Sequence, residues 1–143
     1  MAFTGNFMCT SFKQELMTAT HDFTTSTGNT FKIALYDNNA SFTAATTAYT
    51  ATNEVSGTGY SAGGVTLTGA TIGTSGTTAY VDFDDPEWTS ASFTTAGALI
   101  YNDTTAGDNA IAVLSFGGDF TVTAGTFRIV FPAPGAAAII RID

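Results

Sequence analysis

Charge is what this chain of 143 residues has least of. Only 11 % of its residues are charged, whereas soluble domains carry roughly 25 %. Four are cations, Lys13, Lys32, Arg128 and Arg141, and the net charge is −8. A protein that grips a phosphate backbone needs clustered cations, so nucleic acid is excluded as the main partner. The same acidity disfavours anionic membranes. Cysteine is nearly absent too. Cys9 stands alone, so no intrachain disulfide can form. No apolar run approaches the ~20 residues of a membrane-spanning helix. The start, MAFTGNFMCT, lacks the basic-then-apolar pattern of a secretory signal. The expectation is a chain made in a reducing cytosol, where Asn39-Ala40-Ser41 and Asn102-Asp103-Thr104 have no meaning as glycosylation sequons.

Threonine, glycine and phenylalanine fill the space that charge leaves. Thr is about a fifth of the chain, far above ordinary usage. Its β-branch favours strands, and its hydroxyl suits the wet face of a sheet. The length fits one domain. Residues 1–10 read as an N-terminal arm and residues 11–143 as a single β-rich domain.

One helix is expected, at about residues 11–23. Ser11 and Gln14 have the spacing of a capping box, and Phe12, Leu16, Ala19 and Phe23 form one apolar stripe. From Asn29 onward the period changes to two. Phe31, Ile33 and Leu35 alternate with more polar neighbours, as do Val65 and Leu67, Val81 and Phe83, Phe127, Ile129 and Phe131, and Ile140 and Ile142. Residues 98–101 and 110–114 are apolar on both faces, as central strands are. Clusters of Gly, Asn and Asp separate these runs. Seven or eight short strands behind one helix predict a mainly β fold: a single-domain antiparallel β-sandwich or small barrel with one N-terminal helix.

Residues 53–69, NEVSGTGYSAGGVTLTG, carry two apparent enzyme signatures. Gly59-Tyr60-Ser61-Ala62-Gly63 matches the G-x-S-x-G of a nucleophile elbow. Gly57-Thr58-Gly59-Tyr60-Ser61-Ala62 matches a loose dinucleotide-binding turn. Both need a helix to follow, and here the chain runs through Gly63-Gly64 into the strand at Val65. The sole histidine, His21, precedes Ser61, the wrong order for that triad. The stretch reads as a glycine-punctuated connection into a sheet, no catalytic residue is assigned, and no cofactor is expected.

Other chemistry is sparse. Asp82 and Asp84 fall on one strand face, with Asp85 and Glu87 following. This cluster could hold Ca²⁺ or serve as acid and base, or be a solvated strand end before Pro86. Asp37-Asn38-Asn39-Ala40-Ser41 starts like an EF-hand loop but lacks the glycine and acidic residue that complete one. His21 reads as a surface or interface residue, and Cys9 as a partly buried free thiol. Among the aromatics, Phe3, Phe7 and Phe42 lie outside regular strands, and Trp88 is a core or interface anchor. These four are the candidate interface residues.

Several blocks together resemble a family of small structural virion proteins of tailed bacteriophages: SFKQEL at 11–16, TFKIALY at 30–36, residues 53–69, AYVDFDDPEWTSASFTTAGALIYN at 79–102, and TAGTFRIVFP with IIRI near the end. The resemblance covers most of the chain and carries no catalytic motif. It implies a virion component, first of all a head decoration (cement) protein. Such a protein would sit on the capsid exterior, bind the major capsid protein lattice as a homotrimer, and assemble in the host cytoplasm. The arm at residues 2–7 would then be the segment that reaches a neighbour. A tail, head–tail joining or fibre component is the alternative within that class. Outside it stand a carbohydrate-binding module using Trp88 with Tyr49, Tyr60 and Tyr101, and a small hydrolase centred on Ser61.

Overall fold

The computed structural model describes residues 3–143; Met1 and Ala2, the start of the arm, lie outside the described residues. A two-residue strand β1 (Phe7–Met8) precedes the helix α1 (Thr10–Met17). Then come β2 (Phe31–Tyr36), β3 (Val65–Thr66), β4 (Thr71–Ser75), β5 (Thr78–Asp82), β6 (Glu87–Asn102), β7 (Asn109–Arg128) and β8 (Ile140–Ile142). They form a five-stranded sheet, ordered β1-β7-β6-β2-β3, and a three-stranded sheet, ordered β4-β5-β8. All the pairings are antiparallel, and the packing is sandwich-like, as the alternation predicts. None of the described helices is long and apolar enough to cross a membrane.

The helix is shorter than its apolar stripe suggests, and it begins earlier. Cys9, not Ser11, is the N-cap, and its side chain makes no capping bond. Ser11 Oγ is buried without a hydrogen-bond partner. The helix stops at Met17 because Ala19 turns into the left-handed region, φ 56°. Ala19 N–H then donates to Leu16 O (3.3 Å) and Thr20 N–H to Glu15 O (3.0 Å). This pair of bonds is a Schellman stop, usually built on glycine. Phe23 still reaches the core, but from an extended segment.

The centre of the molecule is the hairpin β6–β7, whose strands are far longer than their apolar runs. Pairing extends from Asn102↔Asn109 at the turn to Glu87↔Arg128 at the far end. Between Gly97↔Ser115 and Thr95↔Phe120, residues 116–119 of β7 bulge out opposite Ala96 alone. The near half, including Leu99, Ile100, Ile111 and Val113, is fully buried, as expected of central strands. The far half is Thr-rich with one exposed face, so its hydropathy signal is weak.

Two aromatic clusters join the layers. Phe12 and Phe23 meet edge-on (6.1 Å), Phe23 stacks on Phe31 (4.3 Å), and Phe83 contacts both Phe23 and Phe31. This ties helix, large sheet and β5 flank together. Trp88 gathers Tyr60, Phe93 and Phe127 at the far half of the hairpin. Burying each such ring stabilises by about 1.5–3 kcal/mol relative to exposure.

Candidate functional site

The connection from residue 37 to 64 has no helix or strand beyond single bridges, yet it is not loose. Leu35 on β2 lies past the short β3, so its outward backbone groups need partners. Its N–H donates to Tyr60 Oη (2.9 Å), and its carbonyl accepts from Val55 N–H (2.9 Å). Glu54 organises the connection around itself. Its carboxylate accepts from Tyr49 Oη (2.7 Å), Tyr60 Oη (2.6 Å) and Gly63 N–H (2.7 Å). Tyr101 Oη donates to Gly63 O, and Tyr36 Oη to Thr50 O. Burial, then the bond to Glu54, pushes Tyr49 up to about 12; burial also raises Tyr36, Tyr60 and Tyr101. These phenols are neutral at physiological pH and act as donors. At Gly64, φ 76°, an added Cβ would collide with Ile33 O, so the chain lies flat on β2 only because this residue is glycine.

This arrangement staples a connection and presents no reactive group to an open cleft. Ser61 sits exposed on a turn closed by Gly64 N–H to Ser61 O (3.0 Å), with β3 following. His21 is elsewhere and buried, not on the surface as its sequence position suggested. Its Nε2 lies 2.6 Å from Glu15 Oε2, and its Nδ1 3.0 Å from Asn102 Nδ2. The amide must donate to Nδ1, so the proton sits on Nε2 and is donated to Glu15. Asn102 also donates to Asn29 Oδ1, and Asn109 to Glu15 Oε1. The network pins helix, hairpin turn and residue 29 together with every partner satisfied. Nothing in the sequence pattern links these five residues, which lie up to 94 positions apart. Cys9 is fully buried, and burial, reinforced by Glu15, pushes its thiol to about 11, leaving it protonated and inert at neutral pH.

The acidic residues line one recess but do not form a ligand set. Asp82 ends β5 and is buried, whereas Asp84 lies beyond the strand and is exposed, so the two do not share a strand face. Asp85 accepts from Arg128 Nη2 (2.9 Å) and from Phe131 N–H (2.8 Å). Among the described residues, no group of three or more His, Cys, Asp or Glu side chains is arranged to hold a metal ion. Asp37 accepts from Asn39 N–H (2.7 Å), forming a local turn.

The aromatic residues singled out as interface anchors have an internal role. Phe3, Phe42 and Trp88 are buried, and Phe7 is half-buried in β1. Phe3 packs on Phe42 and on Gly97, where an added Cβ would come within 2.6 Å of the ring. From Phe3 onward the arm is folded back on its own chain, with Phe7↔Val113 and Met8↔Ala112 in register. Tyr49 stacks on Tyr101 and Tyr60 on Trp88, so each of these four rings spends a face on another.

The surface that is open is an edge. β1 covers β7 only at Ala112 and Val113. Beyond Ser115, whose N–H donates to Asn6 Oδ1, no strand among the described residues pairs with the outer side of β7. Residues 120–127, FTVTAGTF, carry neither charge nor proline. Phe120 is 52 % exposed at one end, and Val130 is 73 % exposed past the other. An uncharged free edge beside exposed apolar side chains is a template for another chain. Asn6, Phe120 and Val130 were not singled out from the sequence; only the alternating pattern beyond Asp119 hinted at the strand. Compared with known proteins, the chain matches no family model, no curated protein and no solved structure.

Proposed function

We propose that this chain is a structural virion protein of a tailed bacteriophage. On this reading it is a capsid decoration, or cement, protein that stabilises the head by non-covalent contacts with the major capsid protein lattice. The observation that carries the reading is the open edge of β7, uncharged over residues 120–127 and flanked by exposed Phe120 and Val130. A cement protein must bind a protein lattice through surface alone, and such an edge supplies backbone donors, acceptors and apolar area. The polar clusters support the same reading, because Glu54 and His21 spend their hydrogen bonds on holding the fold. The acidic surface would keep the protein away from packaged DNA. Self-association as a homotrimer and a place on the capsid exterior belong to this proposal.

The test is saturable binding to empty heads, read by co-sedimentation, with a rise in the melting temperature of the heads. Protein that fails to bind heads at micromolar concentration overturns the assignment. Binding to isolated tails instead would move it to a tail or head–tail joining role.

A further inference from the structure

Four cations serve twelve carboxylate side chains in this protein, and two of the four are already paired. Lys32 Nζ lies 3.2 Å from Asp103, and Arg128 Nη2 2.9 Å from Asp85. Lys13 and Arg141 form no ion pair among the described residues, and both line one recess of about 440 Å³ between β1, β7 and the segment before β8. Its apolar lining includes Met8, Val113, Leu114 and Ile139. Asp143 is also on the lining, with its carboxylate accepting from Thr78 Oγ1 (2.6 Å). On a chain of net charge −8, this recess is where an incoming carboxylate meets two positive charges that no carboxylate pairs among the described residues, one of them, Arg141, also donating to Ala138 O (3.0 Å).

Pro132 lines this recess and also a second, of about 680 Å³, with the opposite character. There Asp85 is committed to Arg128, and Asp82 is buried. Asp84 and Glu87 remain exposed at its rim. Asp84 accepts from Thr68 Oγ1 at 3.2 Å, and Glu87 has no side-chain partner among the described residues. Each copy of the chain thus carries a recess with two cations and a rim with two carboxylates that form no ion pair among the described residues, and Pro132 lines both.

We infer that copies of this chain associate by seating the Asp84 and Glu87 rim of one copy in the Lys13 and Arg141 recess of another. Charge complementarity selects the occupant: it is a second copy, held by two carboxylates and covering the apolar floor. The inference deepens the self-association that belongs to the virion reading, and it is tested without a capsid.

Sedimentation velocity of the full chain, up to about 100 µM, tests it. Self-association is expected at about 50 mM salt, weakened roughly tenfold at about 500 mM, because exposed pairs are screened. Lys13→Glu with Arg141→Glu should give a monomer, and so should Asp84→Lys with Glu87→Lys. An equimolar mixture of the two variants should restore a hetero-assembly. Lys13→Gln with Arg141→Gln is the milder check, with circular dichroism confirming the fold of every variant. A wild-type protein that is monomeric at low salt overturns the inference. So does a charge-reversed variant that still assembles, or a mixture of folded variants that does not. Capsid binding is read separately, so failure here leaves the cement assignment to its own test.

Discussion

Ala19 shows how one residue sets the end of an element. Its φ of 56° completes the bonds that stop α1. An L-residue in that region costs about 1–2 kcal/mol, while glycine costs about 0.5–1 kcal/mol of extra backbone entropy. Ala19→Gly should therefore stabilise the protein by about 0.5 kcal/mol, read as a higher urea midpoint with an unchanged slope. Asp82 is a second residue held against its preference. Burial is the main cause that raises its pKa from 3.8, with the carboxylates of Asp85 and Asp84 adding to it. One of its oxygens is buried with no hydrogen-bond partner. The folded chain binds this proton more tightly than the unfolded chain does. The stabilisation linked to it is complete below about pH 3.8 and is lost as pH rises through the raised folded value. Asp82→Asn removes the titration. It should raise stability at pH 7 by about 1 kcal/mol, a gain that shrinks toward zero below pH 4 in thermal melts across pH. A variant whose advantage persists at pH 3 would show that the charge was not the cause.

The clearest apolar patterns were legible: β2 and β8 lie where the alternation put them and the near halves of β6 and β7 where the continuous apolar runs did, whereas the alternation of Phe127, Ile129 and Phe131 outlasts its strand, because β7 ends at Arg128. The far half of the hairpin was not legible, because Thr-rich strands with one wet face carry little hydropathy contrast. The helix end was missed because Ala, the best helix former, occupies the left-handed position that would normally announce itself as glycine. The arm was misjudged for a different reason. Phe3 and Phe7 have no periodic neighbours, so they looked unpartnered; Phe3 finds its partners in Phe42 and in the gap left by Gly97, 94 residues along the chain. Deleting residues 2–7 is thus expected to damage the fold and not merely to free a surface. Phe3→Ala isolates the effect: loss of a fully buried ring should cost about 3 kcal/mol, read by denaturant unfolding. A cost near zero would return the arm to the role of a loose tether.

At the scale of the whole molecule, stability and binding are assigned to different parts of one hairpin. The near half of β6–β7 is sealed between β1, β2 and the stapled connection, so its backbone groups are satisfied within the chain. The far half has a closed inner side, packed through Trp88, Phe93 and Phe127, and an outer edge without a partner strand among the described residues. Proteins usually protect such an edge with lysine, proline or bulges; residues 120–127 have no lysine or proline, and only the register shifts opposite Ala91 and the left-handed Ala124 interrupt them. If the edge is the contact with the capsid, giving it those charges should abolish binding without unfolding the protein. Thr123 and Thr126 are exposed and make no side-chain hydrogen bond among the described residues, so Thr123→Lys and Thr126→Lys should each change stability by no more than about 0.5 kcal/mol. Together they should weaken binding to empty heads at least roughly tenfold, about 1.4 kcal/mol. Thr25 serves as the control. Its hydroxyl donates to Ala70 O away from this edge, so Thr25→Lys adds a comparable charge elsewhere and should leave binding within about twofold of wild type. Equal losses from the edge pair and from the control would mean that added positive charge, and not the edge, governs the interaction.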